Sequence, residues 1–319
     1  IAATAMALLA FQGAGHTHKK GSYQRRVERG LRYLIRQQNE LGDFFHASPG
    51  PRSHRLYSQA QATMVVCEAF GMTRDPEVSA PAQLAIDYAV SIQASEGGWR
   101  YVPGRDSDTS VTGWFAMALQ SGRMANLTVA DETLQKMSQF LDLARDEGGY
   151  RYGYRPNFSS SVTMTAEALL CRQYLGWRQD DPRLIDGADY LARNPINWRQ
   201  PNVYYWYYAT QVMHHMEGDA WDQWNKVLRK PLPERTLSPR PHRTSSHVGP
   251  ARRRTDSTQD YRSMSGASLL IALRLTVSSH AVRAAPAVPQ PHRRQPIAFL
   301  PSHNPGRSCR KARENDDRT

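Results

Sequence analysis

Two kinds of hydrophobic segment alternate along the chain. In the first kind, apolar residues recur every three or four positions and polar residues fill the gaps. Val27, Leu31, Leu34 and Ile35 lie on one side of such a spiral, and Arg25, Arg29, Arg32 and Arg36 lie elsewhere. Leu84, Tyr88 and Ile92 repeat the pattern, as do Leu134, Met137, Leu141 and Ala144. This is the period of an amphipathic helix with one buried face. In the second kind nearly every position is apolar: Ala62–Phe70, Val111–Leu119 and Val162–Leu170. A helix that is apolar all round must be buried on most sides.

The two kinds keep step with each other. A Gln-x-x-x-Gly-x-aromatic motif ends the amphipathic segments, as Gln38–Phe44 and Gln93–Trp99, with a third copy at Ala144–Tyr150 that lacks the glutamine. Its glycines, Gly42, Gly97 and Gly148, are 55 and 51 residues apart. Ser58, Ser110 and Ser161 precede the apolar runs at spacings of 52 and 51. A later copy, Val203–Gly218, aligns without gaps to Leu56–Gly71 at an offset of 147, which is three steps of 49. Thr4–Phe11 reads as the end of an earlier copy. Each unit is therefore a helix pair, and stacked pairs share one core. An all-α toroid, with buried helices inside and amphipathic helices outside, satisfies both patterns. The motif has structural work to do: glycine caps a helix in the left-handed conformation, the glutamine amide bonds carbonyls left over at the helix end, and the aromatic ring covers the turn.

These residues resemble the repeats of the prenyltransferase and squalene-oxidase/squalene-cyclase superfamily, with Gln93–Trp99 similar to the QW motif of squalene-hopene cyclases. The resemblance covers about Ile1 to Leu228. It implies an (α/α) barrel of about six helix pairs. The sequence supplies five inner and four to five outer helices, which leaves the barrel short of a closing pair. The resemblance is specific for fold and leaves activity to be argued from the site.

Composition and charge then divide the chain. Residues 1–229 carry 24 basic and 23 acidic residues; residues 230–319 carry 17 and 6, and 11 of the 20 prolines. The net charge of +12 is a property of the tail, so it does not make the body a nucleic-acid binder. The reading is a toroid domain over 1–229 and a basic Pro/Arg-rich tail over 230–319 that cannot bury enough apolar surface to order itself. Only Ala267–Val277 in that tail reads as a helix. The abrupt change points to a last helix pair replaced by another reading frame. Ile1–Phe11 reads as a buried helix cut short at its start, since a spanning helix needs ~20 apolar residues. Cys67, Cys171 and Cys309 allow one disulfide at most, and the first two sit in apolar runs. Cytoplasm and bacterial periplasm, with or without membrane association, stay open, as does the oligomeric state.

The candidate chemistry is sparse. Family cyclases protonate an alkene with the acid of a DxDD motif in an aromatic pocket. Asp106-Ser107-Asp108-Thr109 stands at the corresponding place. Aligning both aspartates keeps Asp108 as the acid with Asp106 assisting, and Thr109 replaces the last aspartate. Aligning on Asp-Thr instead puts Ser107 at the donor position. Asp108, Thr109 or Ser110 would equally serve as the N-cap of the next helix. Trp114 and the run Tyr204-Tyr205-Trp206-Tyr207-Tyr208 could turn aromatic faces toward a cation; Trp114, Tyr204, Tyr205, Tyr208 and His215 are the expected cavity residues. No Asp-x-Cys, C-x-x-C or H-E-x-x-H pattern occurs, so no metal or other cofactor is expected. The expected partner is an apolar isoprenoid-type small molecule. The alternative is a non-catalytic binding or scaffold toroid that has lost the acid site, favoured by the incomplete DxDD and by the single barrel.

Overall fold

A computed structural model describes residues 1–45 and 54–229. The tail from 230 onward, including the expected helix at Ala267–Val277 and Cys309, lies outside the described residues. The described residues form ten helices and no named strand: α1 Ala2–Gly13, α2 Gln24–Gln37, α3 Arg55–Thr73, α4 Pro76–Ser91, α5 Thr109–Met124, α6 Asp131–Leu143, α7 Val162–Tyr174, α8 Pro182–Ala192, α9 Val203–Met216 and α10 Gly218–Arg229. The fold is all-α.

The apolar runs become the odd-numbered helices. α3, α5, α7 and α9 are buried along most of their length. Each packs on the next, α1 on α3, α3 on α5, α5 on α7 and α7 on α9. The amphipathic segments become the even-numbered helices. α2 buries Val27, Leu31 and Leu34 and leaves its arginines in solvent. α6 buries Met137, Phe140 and Leu141. Side-chain caps start the helices where the sequence supplies them: Asp75 for α4, Ser161 for α7, Asp181 for α8 and Asn202 for α9 each accept a backbone N–H. Proline follows the cap in α4 and α8, where its missing N–H costs nothing.

The glutamine–glycine motif ties neighbouring even-numbered helices together. The Gln93 amide donates to the carbonyl of Gly97 at 2.7 Å and to that of Thr133, on α6, at 2.9 Å. Gln38 reaches the carbonyl of Pro81, on α4, at 3.0 Å. The glutamine thus reaches the next even-numbered helix, and in Gln93 its own turn as well, a longer reach than a cap at its own helix end. Gly97 has φ +99°, and a Cβ there would lie 2.0 Å from the Lys136 carbonyl oxygen. Only glycine allows both the turn and the approach. The rings of Phe44 and Trp99 are buried. Their backbone N–H groups donate to Gln59 on α3 and Thr112 on α5. In the third unit this role falls to Tyr152, whose N–H donates to Thr165 on α7 at 3.1 Å. The left-handed glycine there is Gly149. The motif of that unit is therefore shifted from Gly148 and Tyr150 to Gly149 and Tyr152.

Candidate functional site

The turn between the Trp99 strand-like segment and α5 places Asp108 at the N-terminus of a buried helix. Asp108 is the N-cap: its Oδ1 accepts the Val111 N–H at 2.7 Å. Its Oδ2 accepts the Tyr154 hydroxyl at 2.6 Å and lies 3.4 Å from Arg100 Nε. The carboxyl is fully buried. Burial raises its pKa to about 7, against the opposing pull of the Tyr154 hydroxyl, the Val111 N–H and Arg100. Asp108 is thus a cap whose carboxyl is buried. Asp106 sits at the partly exposed edge, where it pairs with Arg100 at 2.6 Å and with Arg155 at 3.9 Å. Arg100 also lies over the ring of Tyr101, 4.7 Å from its centroid, and the Tyr101 and Tyr154 hydroxyls are 2.7 Å apart.

The aromatic run on α9 divides by helical geometry. Positions 204, 207 and 208 share one face, being three and four residues apart. Tyr207 stacks on Trp114 of α5 at 5.8 Å between centroids, and Tyr208 meets Trp114 edge-on at 6.2 Å. Tyr204 meets Tyr208 edge-on at 5.0 Å. All four rings are buried. Tyr205 points the other way: its hydroxyl donates to the carbonyls of Leu191 and Asn194, at the end of α8. It packs on Trp224 of α10. His215, near the other end of α9, pairs with Gln173 at 3.1 Å. Eleven residues of helix put it ~16 Å along the axis from Tyr204. Trp114, Tyr204 and Tyr208 are thus brought together near Asp108's helix, while Tyr205 and His215 are held elsewhere.

One group the sequence reading passed over joins this cluster. Glu167, on α7, is fully buried. Its carboxylate oxygens accept the Tyr204 hydroxyl at 3.1 and 3.2 Å. It fits because residue 113 is glycine: a Cβ there would lie 2.2 Å from Glu167 Oε1. Burial drives its pKa well up, the Tyr208 and Tyr204 hydroxyls lower it in part, and the nearby Asp108 carboxyl adds to the rise. The available signal was a lone acid inside an otherwise apolar run. Tyr207 was legible too, from the three- and four-residue spacing on α9.

Among the described residues, no three His, Cys, Asp or Glu side chains converge as metal ligands, and no helix is long and apolar enough to cross a membrane. Cys67 and Cys171 are buried free thiols. Comparison with known proteins finds no matching family model, no matching curated protein and no matching solved structure.

Proposed function

We propose that residues 1–229 form an arc of an α/α toroid, similar to those of squalene cyclases and protein prenyltransferases, and that its interior takes an apolar isoprenoid-type molecule. Two features support the arc. Odd-numbered helices pack in series with even-numbered helices against them. Side chains of α9 also meet side chains of α5, with α7 packed on both. Helices two places apart touch in this way when a row of them curves around a common centre.

The observation that carries the functional reading is Asp108. It is a buried acid with a pKa near 7, set at the start of the inner helix that carries Trp114 six residues further on. A carboxylic acid that keeps its proton near neutral pH can act as a general acid. The aromatic faces of Trp114 and its tyrosines, further along the same interior, would favour a developing cation. The chemistry implied is protonation of an alkene by Asp108, with Asp106 helping through the Arg100 it shares. The buried indole N–H of Trp114 has no acceptor among the described residues, and a ligand π face or oxygen would satisfy it.

A second reading, a binding or scaffold toroid without catalysis, draws on a different observation. Both Asp108 oxygens are already engaged, and Trp114, Tyr207 and Tyr208 fill the interior against one another. Incubation with squalene and with prenyl diphosphates separates the two. The acid reading expects cyclised or transferred products from the wild type and none from Asp108→Asn. Identical product profiles from the two proteins would leave the scaffold reading standing.

A further inference from the structure

Glu167 is a buried carboxyl whose nearest polar groups are hydroxyls, with no cation bonded to it among the described residues. A buried carboxylate without a cation is costly, so the neutral acid is the form that fits. Asp108 differs, because a backbone N–H and Arg100 both favour its ionised form. The groups facing Glu167 are Tyr204 and Tyr208 from α9, Asp108 at the start of α5, and Cys171 one turn along α7.

The hydroxyl on Glu167 does not end there. The Tyr204 hydroxyl lies 2.6 Å from Ser110 Oγ, and Ser110 Oγ lies 2.9 Å from the Tyr57 hydroxyl. Tyr204 and Ser110 are buried, and Tyr57 is half-buried at the edge of α3. Four groups on four successive inner helices thus form one unbroken row, from α7 through α9 and α5 to α3. It runs from the interior to a side chain in touch with solvent. Every member can both donate and accept a hydrogen bond.

We propose that Glu167 is a second interior acid, supplied with protons from the rim through Tyr57, Ser110 and Tyr204. When Glu167 gives up its proton, Tyr204 passes its hydroxyl proton to the carboxylate. Ser110 passes its proton to Tyr204 and Tyr57 passes its own to Ser110. Tyr57 then takes one from water. One O–H bond breaks and one forms at each hydroxyl, and the net change is one proton moved from solvent to Glu167. This deepens the acid reading of the interior and rests on it only for what the proton is used for. The row itself is tested without any substrate.

The test is infrared spectroscopy of the full chain on transfer to D2O at about pH 8, where Asp108 is mostly ionised and its own acid band is weak. We expect a carboxylic-acid C=O band that is lost in Glu167→Gln, which keeps the side chain's shape. In the wild type that band shifts rapidly on exchange to deuterium. Ser110→Ala and Tyr57→Phe each cut the row at a different link, and in both the fast shift is lost while the band remains. If the wild type has no band that Glu167→Gln removes, Glu167 is not an acid reservoir and the proposal fails. If the band is present but shifts equally fast in both hydroxyl variants, the relay is overturned. Absence of products from squalene or prenyl diphosphates would count against the ligand reading and leave this result untouched.

Discussion

Asp108 is where a single residue's environment has the widest consequence. In an unfolded chain its carboxyl loses its proton near pH 4, while in the fold it holds it up to about 7. Between those values the folded state carries the extra proton. The contribution is therefore complete below pH 4 and is lost as pH rises through 7. Its full size is roughly 4 kcal/mol at one pKa unit per 1.4 kcal/mol. Asp75 runs the opposite way. Its hydrogen bond to Lys19, with help from His18, holds it down to about 2. That contribution is present above pH 4 and lost as pH falls toward 2. Urea unfolding at steps from about pH 5 to 8 should show wild-type stability falling, with Asp108→Asn reducing the slope by about one proton's worth. Equal slopes in the two proteins would mean that Asp108 is not the titrating group. The Asp-Ser-Asp-Thr pattern located this residue on the sequence. The pattern left cap and acid as alternatives because it says nothing of burial; in the fold the side chain is the cap, and its burial raises its pKa.

At the scale of elements, the glycine of the helix-ending motif decides whether neighbouring even-numbered helices can close up. Gly97 is left-handed and its absent Cβ leaves room for the Lys136 carbonyl of α6. Gly104 is also left-handed, at φ +68°, and apart from its chain neighbours no atom of the described residues lies within 4 Å of where its Cβ would be. The two positions separate conformational cost from steric cost. Gly104→Ala should lose only about 1 kcal/mol in denaturant unfolding, while Gly97→Ala should lose at least about 3 kcal/mol because a backbone has to move. Similar losses at both sites would show that the turn alone matters. The helix pairs were legible from periodicity, because a face that must be buried leaves its mark every three to four residues. The third motif's register was not, because Gly148-Gly149 and Tyr150 and Tyr152 offered two readings. The hydrogen bond from Tyr152 to Thr165 selects between them.

Across the molecule, the contact between α5 and α9 joins segments about ninety residues apart. Tyr204 meets Ser110, and Tyr207 meets both Trp114 and Met117. If the stacked pair holds the interior together, a double-mutant cycle will register it. Trp114→Ala should cost about 3–5 kcal/mol. Trp114→Ala and Tyr207→Ala together should cost less than the sum of the two, by about 0.5–1.5 kcal/mol for the aromatic contact. Strict additivity would show that the rings do not interact in solution. Helical geometry also explains why five neighbouring aromatics do not share one task. Tyr204, Tyr207 and Tyr208 face α5 and α7, and Tyr205 faces α8 and α10.

The sequence by itself determined the helices, which of them are buried, and the order in which the two kinds alternate. These follow from local periodicity and from the demand that apolar faces leave water, and both are written into nearest neighbours along the chain. It also marked Asp108 and the aromatic run. Only the tertiary structure decided that Glu167 reaches Tyr204 across the notch at Gly113, that Tyr205 and His215 lie apart from the cluster, and that hydroxyls from α3, α5 and α9 line up behind a buried acid. Hydrogen bonds between residues about forty to a hundred positions apart depend on how packed helices are turned about their axes. That rotation is set by the fit of whole side-chain surfaces and leaves no periodic trace in the chain.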